Sequence, residues 1–437
     1  MPDRMNQPTS SPAILIDGVR YATGPHSVVR GAIKTADGKL MRLLRDDFGA
    51  RMSLSKGMEL DLHGFLVMPG LINAHDHLQY ALYPRLGNPP YRNYVEWGDD
   101  IHETLSATLA LHKSVPKNTR LWWGGIRNLL SGVTTVCHHN QLWPTLLQDG
   151  YPIKVVREYG WAHSLALDPD LREAHLTSPA DGPFIVHACE GTDMLAQEEL
   201  FGLHRLGVLD SRTVIVHGLA LDAAGVELLQ QQRVGLICCL SSNRFLYDRL
   251  PDTALLRRIQ DIALGNDSPL TAAGDLLDEV RFAIQCGGIA PQQAYRMVTE
   301  SPAAILRLTE GEGQIREHAA ADLIAVRDTG GSPEDRLRTL TWKDIEFVMV
   351  AGQVRLASDD VWHLLPEELR RGLNPLWVEG QIRWLRVPVE ELLQKAETAL
   401  GAGRVRMGGR PIKMPDSAKS AYGTGFDSTA FHPIRGE

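Results

Sequence analysis

The segment GFLVMPGLINAHDHLQY, residues 64–80, places two histidines two positions apart at the end of an apolar run. If this run is a β-strand, the side chains of His75 and His77 point to the same face, because side chains alternate along a strand. Two imidazoles at one strand end can hold a divalent metal ion. The pair alone is weak evidence, because the 437 residues include 16 histidines.

Three further apolar runs also end in histidine or carboxylate, at His187 with Glu190, at His217 and at Asp267. A polar group at the edge of a core is costly unless it finds a partner. Imidazoles and one carboxylate therefore predict a metal site with an open position, where the ion lowers the pKa of a water. Glu190 is predicted to move a proton from that water to a leaving nitrogen. His217 would orient the water or complete the coordination.

The elements that must position these residues alternate between strand and helix from residue 69 to 310. The apolar runs are GLINAHDH, GVTTVCHHN, YPIKVVREYG, PFIVHACEG, TVIVHGLAL, VGLICCLSSN and IALGNDS, and WAHSLAL (161–167) is the candidate for an eighth. Strands separated by helices predict a parallel sheet. We expect an α/β fold with a (β/α)8 TIM-like barrel over 69–310, and the site at the carboxyl ends of its strands.

Both ends of the chain have strand patterns instead. Residues 1–68 contain short strand runs with the hairpin dipeptide Asp37-Gly38, and residues 311–385 contain AADLIAVRD and DIEFVMVAGQVRL. We expect the two ends to form one small composite β-sandwich. Residues 386–437 are predicted to form a helix, VEELLQKAETAL, followed by a flexible tail.

Composition excludes several classes of function. The net charge is −8 and no block of basic residues occurs, which argues against nucleic-acid or membrane partners. The five cysteines form no C-x-x-C pair, which argues against thiolate zinc sites and for a reducing compartment. We therefore expect a cytoplasmic protein that acts on a small molecule. A homodimer is an assembly that the sequence leaves open.

Several motifs resemble those of the amidohydrolase superfamily, in the branch of the guanine and cytosine deaminases and atrazine chlorohydrolase-like enzymes. They are, in order, PGLINAHDHL, SGVTTV, HACE, GNDS with GDLLDEVRFA, VTESPAAILRL, ADLIAV and VMVAGQV, and they cover roughly residues 12–356. The resemblance implies one divalent metal ion, zinc with iron or manganese as alternatives. It implies the ligands His75, His77, His187 and Asp267, and the catalytic residues Glu190, His217 and Asp267.

The chain departs from this family pattern in three places. The stretch between VVREYGW and PFIVHACE is short, so the fourth βα unit is expected to be reduced. The sequence Cys239–Asn243 lacks the usual proline after cysteine, and Asn-Asp-Ser-Pro stands where deaminases have Thr-Asp-Gly.

We expect a deaminase-type aminohydrolase, in which a metal-activated water attacks a C–N carbon. The alternatives are a binuclear amide or lactam hydrolase, a dehalogenating hydrolase and a non-catalytic amidohydrolase-like binding protein.

Other polar and aromatic residues follow the predicted strands and are candidates for substrate contacts. Alternation sends only one of His138 and His139 inward, and we take His138 with Trp161 and Arg244 as the substrate candidates. The Pro-rich loop GNPPYRNYVEW after the first strand is a candidate lid over the site.

Overall fold

The computed structural model describes residues 12–46, 57–272 and 274–415. Its strands are β1 Ile14–Ala22, β2 Val28–Ala36, β3 Lys39–Arg45, β4 Met58–Asp61, β5 Phe65–Pro69, β6 Leu71–Asp76, β7 Val133–His138, β8 Lys154–Val155, β9 Gly160–Ser164, β10 Phe184–Ala188, β11 Thr213–His217, β12 Gly235–Cys238, β13 Ile262–Leu264, β14 Leu323–Arg327, β15 Phe347–Val350, β16 Gln353–Ser358, β17 Asn374–Val378, β18 Gln381–Leu385, β19 Arg406–Met407 and β20 Arg410–Lys413.

The α-helices of the described residues are α1 Tyr94–Thr104, α2 Ser106–Lys113, α3 Lys117–Leu130, α4 Leu171–Thr177, α5 Met194–Arg205, α6 Ala223–Gln232, α7 Leu240–Tyr247, α8 Thr253–Leu256, α9 Leu276–Gln285, α10 Pro291–Met297, α11 Glu300–Ile305, α12 Pro333–Leu337, α13 Asp359–Leu364, α14 Glu367–Arg370 and α15 Val389–Leu400. None of these helices combines the length and the apolar character that crossing a bilayer requires.

The middle of the chain forms parallel sheets, as predicted. Strands β6, β7 and β8 make a three-stranded sheet, and β9 to β13 make a five-stranded sheet in chain order. The candidate eighth strand is present, because β9 pairs in parallel with β10. An isolated parallel bridge between Asp76 and Asp267 places the end of β6 beside the residues that follow β13. The carboxyl ends of these strands therefore meet on one side of the molecule.

The passage from β8 to β9 explains the short fourth unit. Only residues 156–159 separate the two strands. A helical crossover between parallel neighbours needs a dozen residues or more. The chain therefore passes directly from pairing with β7 to pairing with β10, and only the seven-residue helix α4 follows β9.

Strands from both ends of the chain share one twelve-stranded sheet. Strand β14 pairs antiparallel with β5, so residues after 320 lie beside residues before 70. The predicted hairpin joins β2 to β3, and Asp37 and Gly38 have φ values of +50° and +75°. Positive φ at both turn positions is typical of the tight hairpin turn that Asp-Gly favours.

The C-terminal region contains more regular structure than the sequence predicts. Helix α15 spans the segment VEELLQKAETAL, and its Leu392 carbonyl accepts a hydrogen bond from the Trp123 indole of α3 at 3.4 Å. The short strands β19 and β20 follow, and the sequence analysis did not predict them. The predicted flexible tail lies largely outside the described residues, which end at 415.

Candidate metal centre

Four of the predicted residues bring their side-chain tips together. The Nε2 atoms of His75 and His187 lie 3.3 Å apart, and Oδ1 of Asp267 lies 3.8 Å from Nε2 of His75 and 3.6 Å from Nε2 of His77. His75 lies on β6 and His77 directly follows it, while His187 comes from β10 and Asp267 follows β13. All four predicted metal ligands therefore converge on one point.

The protonation of these groups suits a cation. Burial lowers the pKa values of His75, His77 and His187, so that the rings are neutral at pH 7. Burial alone would raise the pKa of Asp267, but His75 and the other neighbouring histidines hold it well below its usual range. Neutral imidazoles around an ionised carboxylate form a donor set with one uncompensated negative charge. This set fits a divalent ion such as zinc.

The second carboxylate oxygen of Asp267 is held away from this point. Oδ2 accepts hydrogen bonds from the hydroxyls of Ser242 at 2.7 Å and Thr271 at 3.0 Å. Oδ1 remains directed at the histidines. The carboxylate is therefore oriented for contact through one oxygen.

Glu190 and His217 lie together next to the histidine group. Nε2 of His217 is 3.5 Å from Oε2 of Glu190, and the Tyr247 hydroxyl donates to Oε1 at 2.9 Å. Burial raises the pKa of Glu190, although His217 and Tyr247 act in the opposite direction. A buried carboxyl group whose pKa lies above its usual value can both take and release a proton.

Helix α7 positions three of these groups. Its Ser242 holds Asp267, its Asn243 oxygen lies 3.0 Å from Nδ1 of His217, and its Tyr247 holds Glu190. Ser242 and Tyr247 were not predicted in these roles. The available signal was the polar triplet SSN directly after an apolar strand.

A buried hydrogen-bond network connects helix α3 to the residues of the site. The carboxylate of Asp76 accepts from Arg127 at 2.6 Å and from Asn128 at 2.7 Å, both on α3. The same guanidinium donates to the backbone carbonyl of Asp267 at 3.3 Å. Arg127 thus links Asp76, the residue between His75 and His77, to the backbone of the predicted carboxylate ligand.

The three candidate substrate residues differ in their burial and in their contacts. Trp161 is half-buried, and its ring centroid lies 5.8 Å from that of His139. His138 is buried and its Nδ1 accepts from the Leu78 amide at 3.4 Å, whereas His139 joins the histidine group. Arg244 is exposed and paired with Asp248 at 3.1 Å. Substrate contacts by these residues stay predictions.

The Pro-rich loop packs on the segment that follows Glu190. The Tyr91 amide donates to the Leu246 carbonyl at 2.8 Å, and the Thr192 amide donates to the Arg92 carbonyl at 2.7 Å. The Asn93 amide group donates to Asp193 at 2.6 Å. The loop therefore lies against α7 and the start of α5, which is compatible with the lid interpretation.

Comparisons of sequence agree with this site. A model of the Amidohydrolase family matches residues 174–355. An imidazolonepropionase of Vibrio vulnificus is 26% identical over 339 residues, which is 63% of this chain and 81% of that protein. A 5-methylthioadenosine/S-adenosylhomocysteine deaminase of Natronomonas pharaonis is 26% identical over 323 residues, which is 61% of this chain and 74% of that protein.

Solved structures show the same fold. An adenosine deaminase from Xanthomonas campestris with bound zinc has a TM-score of 0.70 at 18% identity, over 88% of this chain and 97% of that one. An atrazine chlorohydrolase from Arthrobacter aurescens complexed with zinc has a TM-score of 0.65 at 15% identity, over 88% and 99%. With the ordered motifs and the family match over residues 174–355, the chain resembles the amidohydrolase superfamily and is a hydrolase of carbon–nitrogen bonds.

Proposed function

We propose that the protein is a deaminase-type aminohydrolase, which replaces an amino group on a small heterocycle with oxygen and releases ammonia. The observation that carries this proposal is the convergence of three imidazole nitrogens and Oδ1 of Asp267 beside a buried Glu190. His75, His77, His187 and Asp267 would hold one divalent ion. Zinc is the ion we propose, because two structures of the same fold carry it. When bound, the ion would lower the pKa of a water and so supply a nucleophile near neutral pH.

The chain's own residues would manage the protons. Glu190 takes a proton from the attacking water as the C–O bond forms and then gives this proton to the leaving nitrogen, so that the C–N bond breaks and ammonia leaves. His217 orients the water, since its ring is fixed through Nδ1 by Asn243. Oδ1 of Asp267 is the second candidate to accept the proton. The Tyr247 hydroxyl keeps Glu190 in one orientation throughout.

We also propose the finer architecture. The eight parallel strands close as a barrel over residues 69–310, and residues 1–68 and 311–385 form one composite β-sandwich. Residues 386–437 form a C-terminal extension of this body. A cytoplasmic location and a small-molecule substrate complete the proposal, and a homodimer stays a prediction.

A second candidate is hydrolysis of a compound of the imidazolone class. It is favoured by the relatives named imidazolonepropionase. Both candidates use the same donor set and differ in the product, because only deamination of an exocyclic amino group releases ammonia in the first step.

The experiment is a screen of purified, zinc-loaded protein against aminopurines, aminopyrimidines, aminopterins, aminotriazines, chlorotriazines and imidazolones, with ammonia release, chloride release and ring absorbance followed together. The proposal predicts ammonia from one of the amino heterocycles. Turnover of an imidazolone without ammonia would favour the second candidate. Chloride release from a chlorotriazine would identify the dehalogenating alternative. The Glu190→Gln protein is the control, and turnover equal to the parent's on every substrate would contradict the assigned proton transfer.

A further inference from the structure

His139 is a buried histidine of the metal centre that the proposed chemistry does not use. It directly follows β7, is 2% exposed, and its amide donates to the Asp76 carbonyl at 3.0 Å. Its ring stacks on that of His187 with centroids 4.2 Å apart and planes within 3°. The ring is therefore held in one orientation against a proposed ligand.

Two contacts determine where the His139 ring carries its proton. Nε2 lies 2.8 Å from the Ala162 carbonyl oxygen on β9, and Nδ1 lies 3.3 Å from Nδ1 of His75. A carbonyl oxygen only accepts hydrogen bonds, so the proton of the neutral ring is on Nε2. Nδ1 of His139 is then an acceptor that faces His75.

The proton on His75 follows from this arrangement. A hydrogen bond between the two facing Nδ1 atoms needs one proton, and His139 has none at that atom, so His75 supplies it. Nε2 of neutral His75 then carries a lone pair. That atom is the one near Nε2 of His187 and Oδ1 of Asp267. The hydrogen bonds from His139 to Ala162 and from His75 to His139 therefore leave Nε2 of His75 unprotonated and directed at the metal centre.

The ligand His187 is set in the same way by a single backbone contact. Its Nδ1 lies 2.8 Å from the His163 carbonyl oxygen, so its proton is on Nδ1 and its Nε2 is bare. Outer contacts of this kind fix the tautomer and angle of metal-binding histidines. His75 differs because its outer partner is another imidazole, which accepts only in one tautomer.

We propose that His139 is a positioning residue for the metal centre, which accepts a hydrogen bond from His75 and thereby directs the lone pair of His75 at the ion without binding the ion itself. His139 belongs to a group of four histidines whose ligand atoms lie within 4.8 Å of one another, so direct coordination is the competing assignment. The geometry favours positioning, because Nδ1 of His139 contacts Nδ1 of His75, and Nε2 of His75 is the atom near His187 and Asp267. The inference rests on the metal site of the proposed function.

The test compares two amide variants that each keep one of the two hydrogen bonds. In His139→Asn the carboxamide oxygen replaces Nδ1 as the acceptor for His75. In His139→Gln the carboxamide nitrogen replaces Nε2 as the donor to Ala162, and the acceptor is lost. The same substitutions at His138 are the matched control, because that ring is equally buried but contacts the Leu78 amide.

Zinc affinity is measured by competition with a chelator, and the visible absorption of the cobalt-substituted proteins is recorded. We expect His139→Gln to weaken zinc binding by about 10- to 100-fold. We expect His139→Asn to recover most of that loss with the cobalt spectrum of the parent, and both His138 variants to bind zinc like the parent.

Three results would overturn the inference. Equal weakening in both His139 variants with an altered cobalt spectrum would make His139 a ligand. Unchanged affinity in His139→Gln would remove any role for it at the ion. A parent protein that binds neither zinc nor cobalt would overturn the proposed function together with the inference, whereas the first two results leave the proposed function standing.

Discussion

At the scale of single residues, the buried glutamates Glu190 and Glu199 make different contacts. Glu190 contacts His217 and Tyr247 at the centre, whereas Glu199 of α5 lies behind it. Glu199 accepts from the Tyr94 hydroxyl at 2.8 Å and from the Cys189 amide at 2.9 Å. Both carboxyl groups are almost fully buried, so the free energy of the folded state depends on whether each of them is protonated.

Glu190→Gln tests the proton-transfer role. The amide keeps the size of the side chain and its contact with Tyr247, but it cannot accept and release a proton. We expect kcat to fall by about 10²- to 10⁴-fold while zinc content stays at the parent level. Steady-state kinetics with metal analysis of the same samples measures both. A loss of zinc in this variant would instead place Glu190 among the ligands.

Glu199→Gln tests a pH dependence of stability. Burial raises the pKa of Glu199 to about 7 from 4.5. Because the folded state holds this proton more tightly than the unfolded state, the contribution is fully present below pH 4.5 and is lost as pH rises towards 7, on the order of 3 kcal/mol. The amide can donate to Tyr94 and accept from Cys189, so it keeps both contacts.

The difference in unfolding free energy between Glu199→Gln and the parent, measured by urea denaturation from pH 5 to 8, should therefore move in favour of the variant as pH rises. The exposed neighbour Glu198→Gln is the control and should show no such trend. A flat difference for Glu199→Gln would show that this carboxyl ionises normally in the fold.

At the scale of elements, the C-terminal hairpin of β19 and β20 supports the helix that follows the site. Arg410 pairs with Asp275 at 2.8 Å and Asp278 at 2.5 Å. These two aspartates form the capping box of α9. The Gly408 amide also donates to the Ala81 carbonyl at 3.0 Å, shortly after His77. The hairpin therefore contacts elements on both sides of the metal centre.

Arg410→Gln should destabilise the protein by about 2 kcal/mol. The reason is that the Asp275 carboxylate is 2% exposed and would lose its cation, while partial exposure of Arg410 limits the cost. Arg406→Gln in the same hairpin is exposed and should change stability little. Equal unfolding midpoints for the two variants in urea would contradict a supporting role for the Arg410 pairs.

The sequence predicted those elements whose pattern is local. Alternation put His75 and His77 on one face, and strand ends put His187 and Asp267 near them. The choice of His138 over His139 as the candidate that faces the site missed the approach of His139 to His75, because the bend after β7 that turns His139 towards His75 depends on tertiary contacts. Ser242 and Tyr247 were missed for the same reason, since their partners Asp267 and Glu190 lie 25 and 57 positions away.

One departure from the family pattern has a local explanation that only the structure supplies. Leu240 stands where the family pattern has proline, and its amide donates to the buried carboxylate of Glu279 at 2.5 Å. Proline has no amide hydrogen to give. In this chain the first turn of α7 is therefore held by Glu279 of α9, a contact that no spacing rule predicts.

At the scale of the whole molecule, one half-buried lysine links the parallel sheets to the twelve-stranded sheet. Lys154 on β8 pairs with Glu312 at 2.7 Å and Asp322 at 2.5 Å. Asp322 directly precedes β14, and its carbonyl accepts from the Gly70 amide just before β6. Residues that follow the parallel sheets thereby contact the amino-terminal ends of β6 and β8, and the site lies at the carboxyl ends of the parallel strands.

Metal reconstitution measures the central claim, that three imidazoles and one carboxylate form a single functional metal site. Zinc is titrated into chelator-treated protein while bound zinc per chain and turnover are followed together, with His75→Ala/His77→Ala and Asp267→Asn as comparisons. We predict that activity rises linearly and saturates at one zinc per chain, and that neither variant is restored. Saturation at two ions per chain, or full turnover by chelator-treated protein, would contradict the account.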